Sequence, residues 1–167
     1  MTAGPERRRG ADLVAAAEVE ADAALVFERL CAVERWPVWL AFVRSAERLD
    51  GKDAPLVLGS EIALRSKIPG EAVELYEVDR YLEGHHLSLV GAYSLRRRLD
   101  FRIERRRDRS RVVARLAYPR YSGFVGEFAD RLSSRRRLRR DLDASLVHFK
   151  GLVEFDLGER DGALADL

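Results

Sequence analysis

The chain has 167 residues, 47% of them hydrophobic, with 30 basic against 28 acidic side chains and one cysteine. That length and apolar content suit one domain with a sizeable core, and the lone Cys31 excludes both an internal disulfide and a cysteine-built metal cluster within one chain. The net charge is only +2, and the arginine runs at 7–9, 96–98, 105–107 and 135–137 are scattered among acids, unlike the concentrated basic face of a nucleic-acid binder.

Residues 1–11 are polar with Pro5 and an arginine run, and read as a disordered leader. Asp12 and Glu18 bracket an apolar run too short for a signal peptide. No run reaches the roughly eighteen apolar residues of a membrane span, so the expected location is the cytoplasm. Leu13 to Val19 forms a first, alanine-rich strand. Asp22 then caps a short helix in which Ala24, Val26, Phe27, Leu30 and Cys31 recur in helical steps. In Val33-Glu34-Arg35-Trp36-Pro37-Val38-Trp39-Leu40, Pro37 breaks one helix and opens a second short one. Trp36 belongs to the core.

Strand signals follow. Phe42 to Leu49 runs into a hairpin-type turn at Asp50-Gly51-Lys52-Asp53. Ile62, Leu64 and Ser66 alternate with Glu61, Arg65 and Lys67, the pattern of a half-buried antiparallel strand. After Pro69-Gly70, the segment from Glu71 to Leu82 is strand-rich, but its mixed parity predicts a bulge. A turn at Glu83-Gly84 leads into His85 to Tyr93. Leu95, Leu99, Phe101 and Ile103 share one face of the next strand, and Val112, Ala114, Leu116 and Tyr118 one face of the last.

From Phe124 to Phe155 the residues Phe124, Val125, Phe128, Leu132, Leu138, Leu142, Leu146, Phe149, Leu152 and Val153 mark one helix face. About thirty residues span roughly 45 Å, so this helix needs a broad apolar surface to lie on. Residues 156–167 read as a frayed polar tail. The sum is an α+β arrangement in which about seven antiparallel strands curl around the long C-terminal helix, with two short helices after the first strand. The domain so defined spans residues 12–155.

The segment from Val19 to Leu30, the Trp36-Pro37-Val38-Trp39 element, Glu77-Val78-Asp79-Arg80-Tyr81-Leu82 and the stretch from Arg137 to Glu154 resemble the START-like, or SRPBCC, superfamily, above all its polyketide cyclase/dehydrase branch. The resemblance covers nearly the whole chain. It implies a helix-grip fold whose cavity holds an apolar small molecule such as a lipid, a quinone or a polyketide. Where the family usually has a proline-rich turn before the fifth strand, this chain has Arg80-Tyr81-Leu82-Glu83-Gly84-His85-His86.

No Gly-x-Ser-x-Gly, Walker loop or His-Glu-x-x-His occurs, and neither metal nor cofactor is expected. His85 and His86, as strand neighbours, point to opposite faces and suit a wet strand start. His148 suits the edge of the core. Arg97 has the parity of the apolar face, and Arg135 lies seven residues from both Phe128 and Leu142. Each either pairs at the rim, for instance with Glu74 or Glu77, or faces a cavity. In a cavity such an arginine holds a carboxylate or stabilises an enolate oxygen. Trp39, Ser66, Tyr76, Tyr93, Leu99, Phe101, Tyr118, Phe128 and Leu142 complete the candidate lining, with Arg97, Arg135 and Tyr118 as candidates for chemistry.

Three functions are compatible with this reading. In order, they are a carrier or sensor of an apolar ligand, an aromatase/cyclase without cofactor, and an interaction module using Arg136, Arg137 and Arg140. Those arginines pair with Asp141 and Asp143 or meet an acidic partner or anionic lipid, which allows peripheral membrane contact. The expected assembly is a monomer or homodimer.

Overall fold

The computed structural model describes residues 11–51, 53–67, 73–118 and 127–165, with the side chains of 11, 94–96, 118, 127–134 and 161–165 excepted. Strand β1 (Ala11–Val19) leads into helix α1 (Ala23–Cys31), a 3-10 turn (Val33–Arg35) and helix α2 (Trp36–Trp39). Strands β2 (Val43–Arg48), β3 (Glu61–Ser66), β4 (Val73–Leu82), β5 (His86–Gly91), β6 (Ser94–Arg105) and β7 (Ser110–Tyr118) follow, and helix α3 (Glu127–Ala165) closes the chain. The strands form one sheet in the order β1-β7-β6-β5-β4-β3-β2, antiparallel throughout. Each neighbour in sequence is a neighbour in space, except that β1 closes the far edge against β7.

Local chemistry accounts for the element ends. Asp22 Oδ1 accepts the Leu25 amide at 2.8 Å, capping α1 as its sequence position implies. Pro37 sits in the first turn of α2, where its missing N–H has no intrahelical acceptor to lose. In β4 the pairing with β5 shifts between Val78 and Arg80. That bulge explains the mixed parity, because Glu74, Tyr76 and Val78 face inward before it and Tyr81 after it. The β2–β3 connection is longer than the tight turn expected at Asp50–Asp53. The Leu49 amide still bonds the Glu61 carbonyl, and Gly51 and Gly59 carry the positive φ angles, 101° and 84°, that bend the chain between them.

The core lies between the concave sheet face, α1, α2 and the C-terminal half of α3. Trp39 packs at a tilt against Phe149, with ring centroids 4.7 Å apart, and edge-to-face against Phe101 at 5.8 Å, while Trp36 lies 6.0 Å from Phe101. Trp36 donates its indole N–H to the Leu30 carbonyl at 2.8 Å, so its one polar atom is satisfied inside the core. Leu142, Leu146, Phe149 and Val153 of α3 are buried. Ser145, between them, accepts the Ala41 amide and donates to the Asp141 carbonyl, fastening α3 to the segment after α2.

Two boundaries differ from the sequence reading. Ala11 belongs to β1 rather than to a leader, and α3 continues through residues 156–165 instead of fraying. Gly158 has the composition of a helix stop, yet Leu157 packs against the core. Asp156 also meets Arg29 at 2.8 Å, and Arg160 meets Glu28 at 3.2 Å. Tertiary packing outweighs the roughly 1 kcal/mol that glycine costs within a helix. Residues 124–126 lie outside the described residues.

Burial pushes the Cys31 thiol from 9.0 up to about 11, against the lowering influence of Tyr81 and Arg48. Because the thiolate is the nucleophile, two pH units lower its fraction at pH 8 about 100-fold. Iodoacetamide labelling of the folded chain at pH 8 should therefore be about 100-fold slower than in urea. Equal rates would mean that burial does not raise the Cys31 thiol above its ordinary range. The sign follows directly: a proton held more tightly in the folded state leaves stability unaffected below pH 9.0 and erodes it as pH rises toward about 11.

Candidate functional site on the concave face

The concave face divides into a dry part and a polar part. In the dry part Trp39, Leu99, Phe101 and Leu142 are all buried, and the aromatic contacts described above fill the space around them. These four candidates therefore come together as packed core. The polar part lies further along β3, β4 and β6. There Ser66 continues the inward set of Ile62 and Leu64, and Leu64 pairs with Glu74 while Ile62 pairs with Tyr76.

Arg97 forms an ion pair with Glu74, both being half-buried, and the Tyr76 hydroxyl donates to Glu74 at 3.0 Å. One carboxylate thus gathers a guanidinium and a phenol on a surface whose neighbours are apolar. The arginine is neither swung to solvent nor left uncompensated, which is how a charge is tolerated at a partly dry position. Sequence reasoning gives Glu74 only the part of a rim partner for Arg97. Its inward parity with Tyr76 and Val78 is the signal for a larger role, masked by the bulge that follows Val78.

The remaining candidates separate from this group. Tyr93, in the β5–β6 turn, is 88% exposed, because the strand ends before it. Arg135 is exposed despite sharing the helical stripe of Leu142: burial requires a sheet beneath that turn of α3 as well as the correct period. Tyr118 ends β7 and Phe128 lies in α3, but their side chains are outside the described residues. Among the described residues Arg139 meets Asp143 at 3.6 Å, whereas Arg136, Arg137 and Arg140 stand exposed without the expected pairing.

The histidines also require correction. His85 is exposed as expected, but His86 is 7% exposed and its Nε2 lies 2.7 Å from Asp100 Oδ2. It points to the convex face of the sheet, where long side chains from adjacent strands cover it. His148 is exposed rather than at the edge of the core. Among the described residues no group of three or more histidine, cysteine or acidic side chains is placed to hold a metal ion, and no helix is long and apolar enough to cross a membrane.

A seven-stranded antiparallel sheet curled over a long C-terminal helix, with short helices between its first two strands, is the START-like helix-grip fold. Residues 11–154 match the family described as polyketide cyclase/dehydrase and lipid transport. The chain belongs to that family. Solved structures agree. A Thermus thermophilus protein matches with a TM-score of 0.67 at 14% identity, over 86% of this chain and 97% of the other. The Zhui aromatase/cyclase of Streptomyces sp. R1128 matches at 0.64 and 18%, over 86% and 93%. A START superfamily protein of Mycobacterium smegmatis matches at 0.61 and 19%, over 86% and 97%. At these identities the likeness is one of fold. No curated protein matches the chain by sequence. Membership of the family supports a ligand-binding or cyclase role.

Proposed function

We propose that the chain binds an apolar small molecule, lipid, quinone or polyketide-like, between the curved sheet and α3, as a carrier or sensor. The observation that carries this reading is the Arg97–Glu74–Tyr76 group set among inward apolar residues. A mostly apolar surface with a few directional polar atoms suits a ligand that has a greasy body and one polar end. Because Glu74 already compensates Arg97, the pair is ready to hydrogen-bond a carbonyl or hydroxyl without a standing demand for an anion. Native mass spectrometry of the purified chain, with its organic extract analysed alongside, should reveal an apolar adduct. Ser66→Trp should reduce adduct occupancy at least tenfold with the melting temperature retained. An occupancy equal to that of the unaltered chain would remove Ser66 from the lining.

The second reading is a polyketide aromatase/cyclase, favoured by the one carboxylate that holds both Arg97 and the Tyr76 hydroxyl. Substrate entry would release Arg97 from Glu74 toward a developing enolate oxygen, a contribution of about 2.7–4 kcal/mol by analogy with oxyanion donors. On that reading Arg97→Ala lowers the ring-closure rate by about 100- to 1,000-fold with the fold intact. Unchanged product ratios would take Arg97 out of the mechanism.

A further inference from the structure

The convex face carries a second polar assembly, on the opposite side of the sheet from the concave group and independent of any reading of it. Alternate residues of β6 put Arg98, Asp100 and Arg102 on this face, and register places Arg115 of β7 opposite Asp100 and Arg80 of β4 opposite Ser88. Arg80, Arg98, Arg102 and Arg115, with Asp12 and Asp100, border a groove of about 370 Å³. An outward sheet face is ordinarily wet, yet here His86 is 7% exposed, Ser88 0% and Asp100 6%. Long arginine side chains arch over this floor.

Three of the four guanidinium groups are oriented from below or from the side. Arg98 meets Asp79 at 2.7 Å and donates to Ser88 Oγ at 3.0 Å. Arg102 meets Asp100 Oδ1 at 3.3 Å, and Arg115 is bound by Asp12. Each guanidinium has five N–H donors, so these contacts leave donors on every fork. Among the described residues Arg80 has no partner. Asp100 does not repel an incoming anion strongly, because one of its oxygens faces His86 Nε2 and the other Arg102. Counting Asp12, Asp79 and Asp100 against the four arginines leaves one positive charge and several converging, pre-oriented donors.

We propose that this groove is an anion site for the phosphate group of a small phosphorylated molecule. Planar guanidinium forks converging from β4, β6 and β7 match the oxygens of a phosphate dianion better than a single carboxylate, which one fork would satisfy. The shared chemistry fits either a soluble phosphate ester or a phospholipid headgroup. Pyrophosphate titrated into the full chain, with ionic strength held constant by KCl, should give saturable calorimetric binding and shift the His86 ring signals in NMR spectra. Arg80→Gln combined with Arg115→Gln should weaken binding at least tenfold, while Arg136→Gln on α3 should leave it unchanged. Circular-dichroism melts confirm that the variants are folded, and Arg80→Lys alone tests the fork where the double variant fails to fold. Sedimentation with vesicles containing phosphatidic acid, competed by pyrophosphate, would assign the groove to a headgroup; retained pyrophosphate binding without sedimentation would assign it to a soluble ester. Heats no larger than the KCl control, or equal weakening by Arg136→Gln, would overturn the proposal.

Discussion

Trp39→Ala should destabilise the fold by about 3–5 kcal/mol, the range for deleting a large buried aromatic, and lower the melting temperature by roughly 10–15 °C in a domain of this size. Trp39 is 1% exposed and touches three rings from three different elements: Trp36 at 6.4 Å, Phe101 at 5.8 Å and Phe149 at 4.7 Å. Its removal therefore loosens α2, β6 and α3 together, and the surrounding rings cannot collapse into the space without leaving their own contacts. Trp39→Phe keeps part of the volume and should cost less than half as much. A thermal melt in which Trp39→Ala shifts by less than about 3 °C would mean that the neighbourhood already contains slack.

Asp100→Ala should destabilise by about 2–3 kcal/mol, because it strands the buried His86 Nε2 2.7 Å from a lost acceptor and removes a carboxylate that also faces Arg102. The asymmetry of buried hydrogen bonds gives the sharper test. Removing both polar partners, as in His86→Leu with Asp100→Leu, should recover at least half of the loss, since no orphaned group remains. Urea titrations of His86→Leu, Asp100→Leu and the double variant form a double-mutant cycle. Additive losses would show that His86 and Asp100 do not depend on one another. The same variants also bear on the convex groove, whose arginines should lose their ordered floor.

Much of the architecture was legible because it rests on local periodicity. Alternation in Ile62, Leu64 and Ser66 and in Leu99, Phe101 and Ile103 specified inward faces, and helical spacing of Leu142, Leu146, Phe149 and Val153 specified the buried stripe of α3. The candidate site was only partly legible. Arg97 was recognisable as inward-facing and Glu74 as a possible partner, but the shared inward direction of Glu74 and Tyr76, which lets the Tyr76 hydroxyl reach Glu74, was masked by the bulge that follows Val78. Arg135 obeyed the helical period and is nonetheless exposed, since period gives direction around a helix and not the extent of the surface beneath it.

The sequence by itself determined the order and type of elements, the Asp22 cap and the role of Pro37, which depend on neighbours within a few residues along the chain, and the family resemblance, which is carried by motifs spread over nearly the whole chain. Only the tertiary structure decided that α3 continues past Gly158, that Tyr93 stands in solvent and that His86 is buried against Asp100. Those outcomes depend on which strand lies beside which, and on how far long side chains reach across a sheet. Contacts between residues distant in sequence are paid for by the whole fold, so no local pattern announces them.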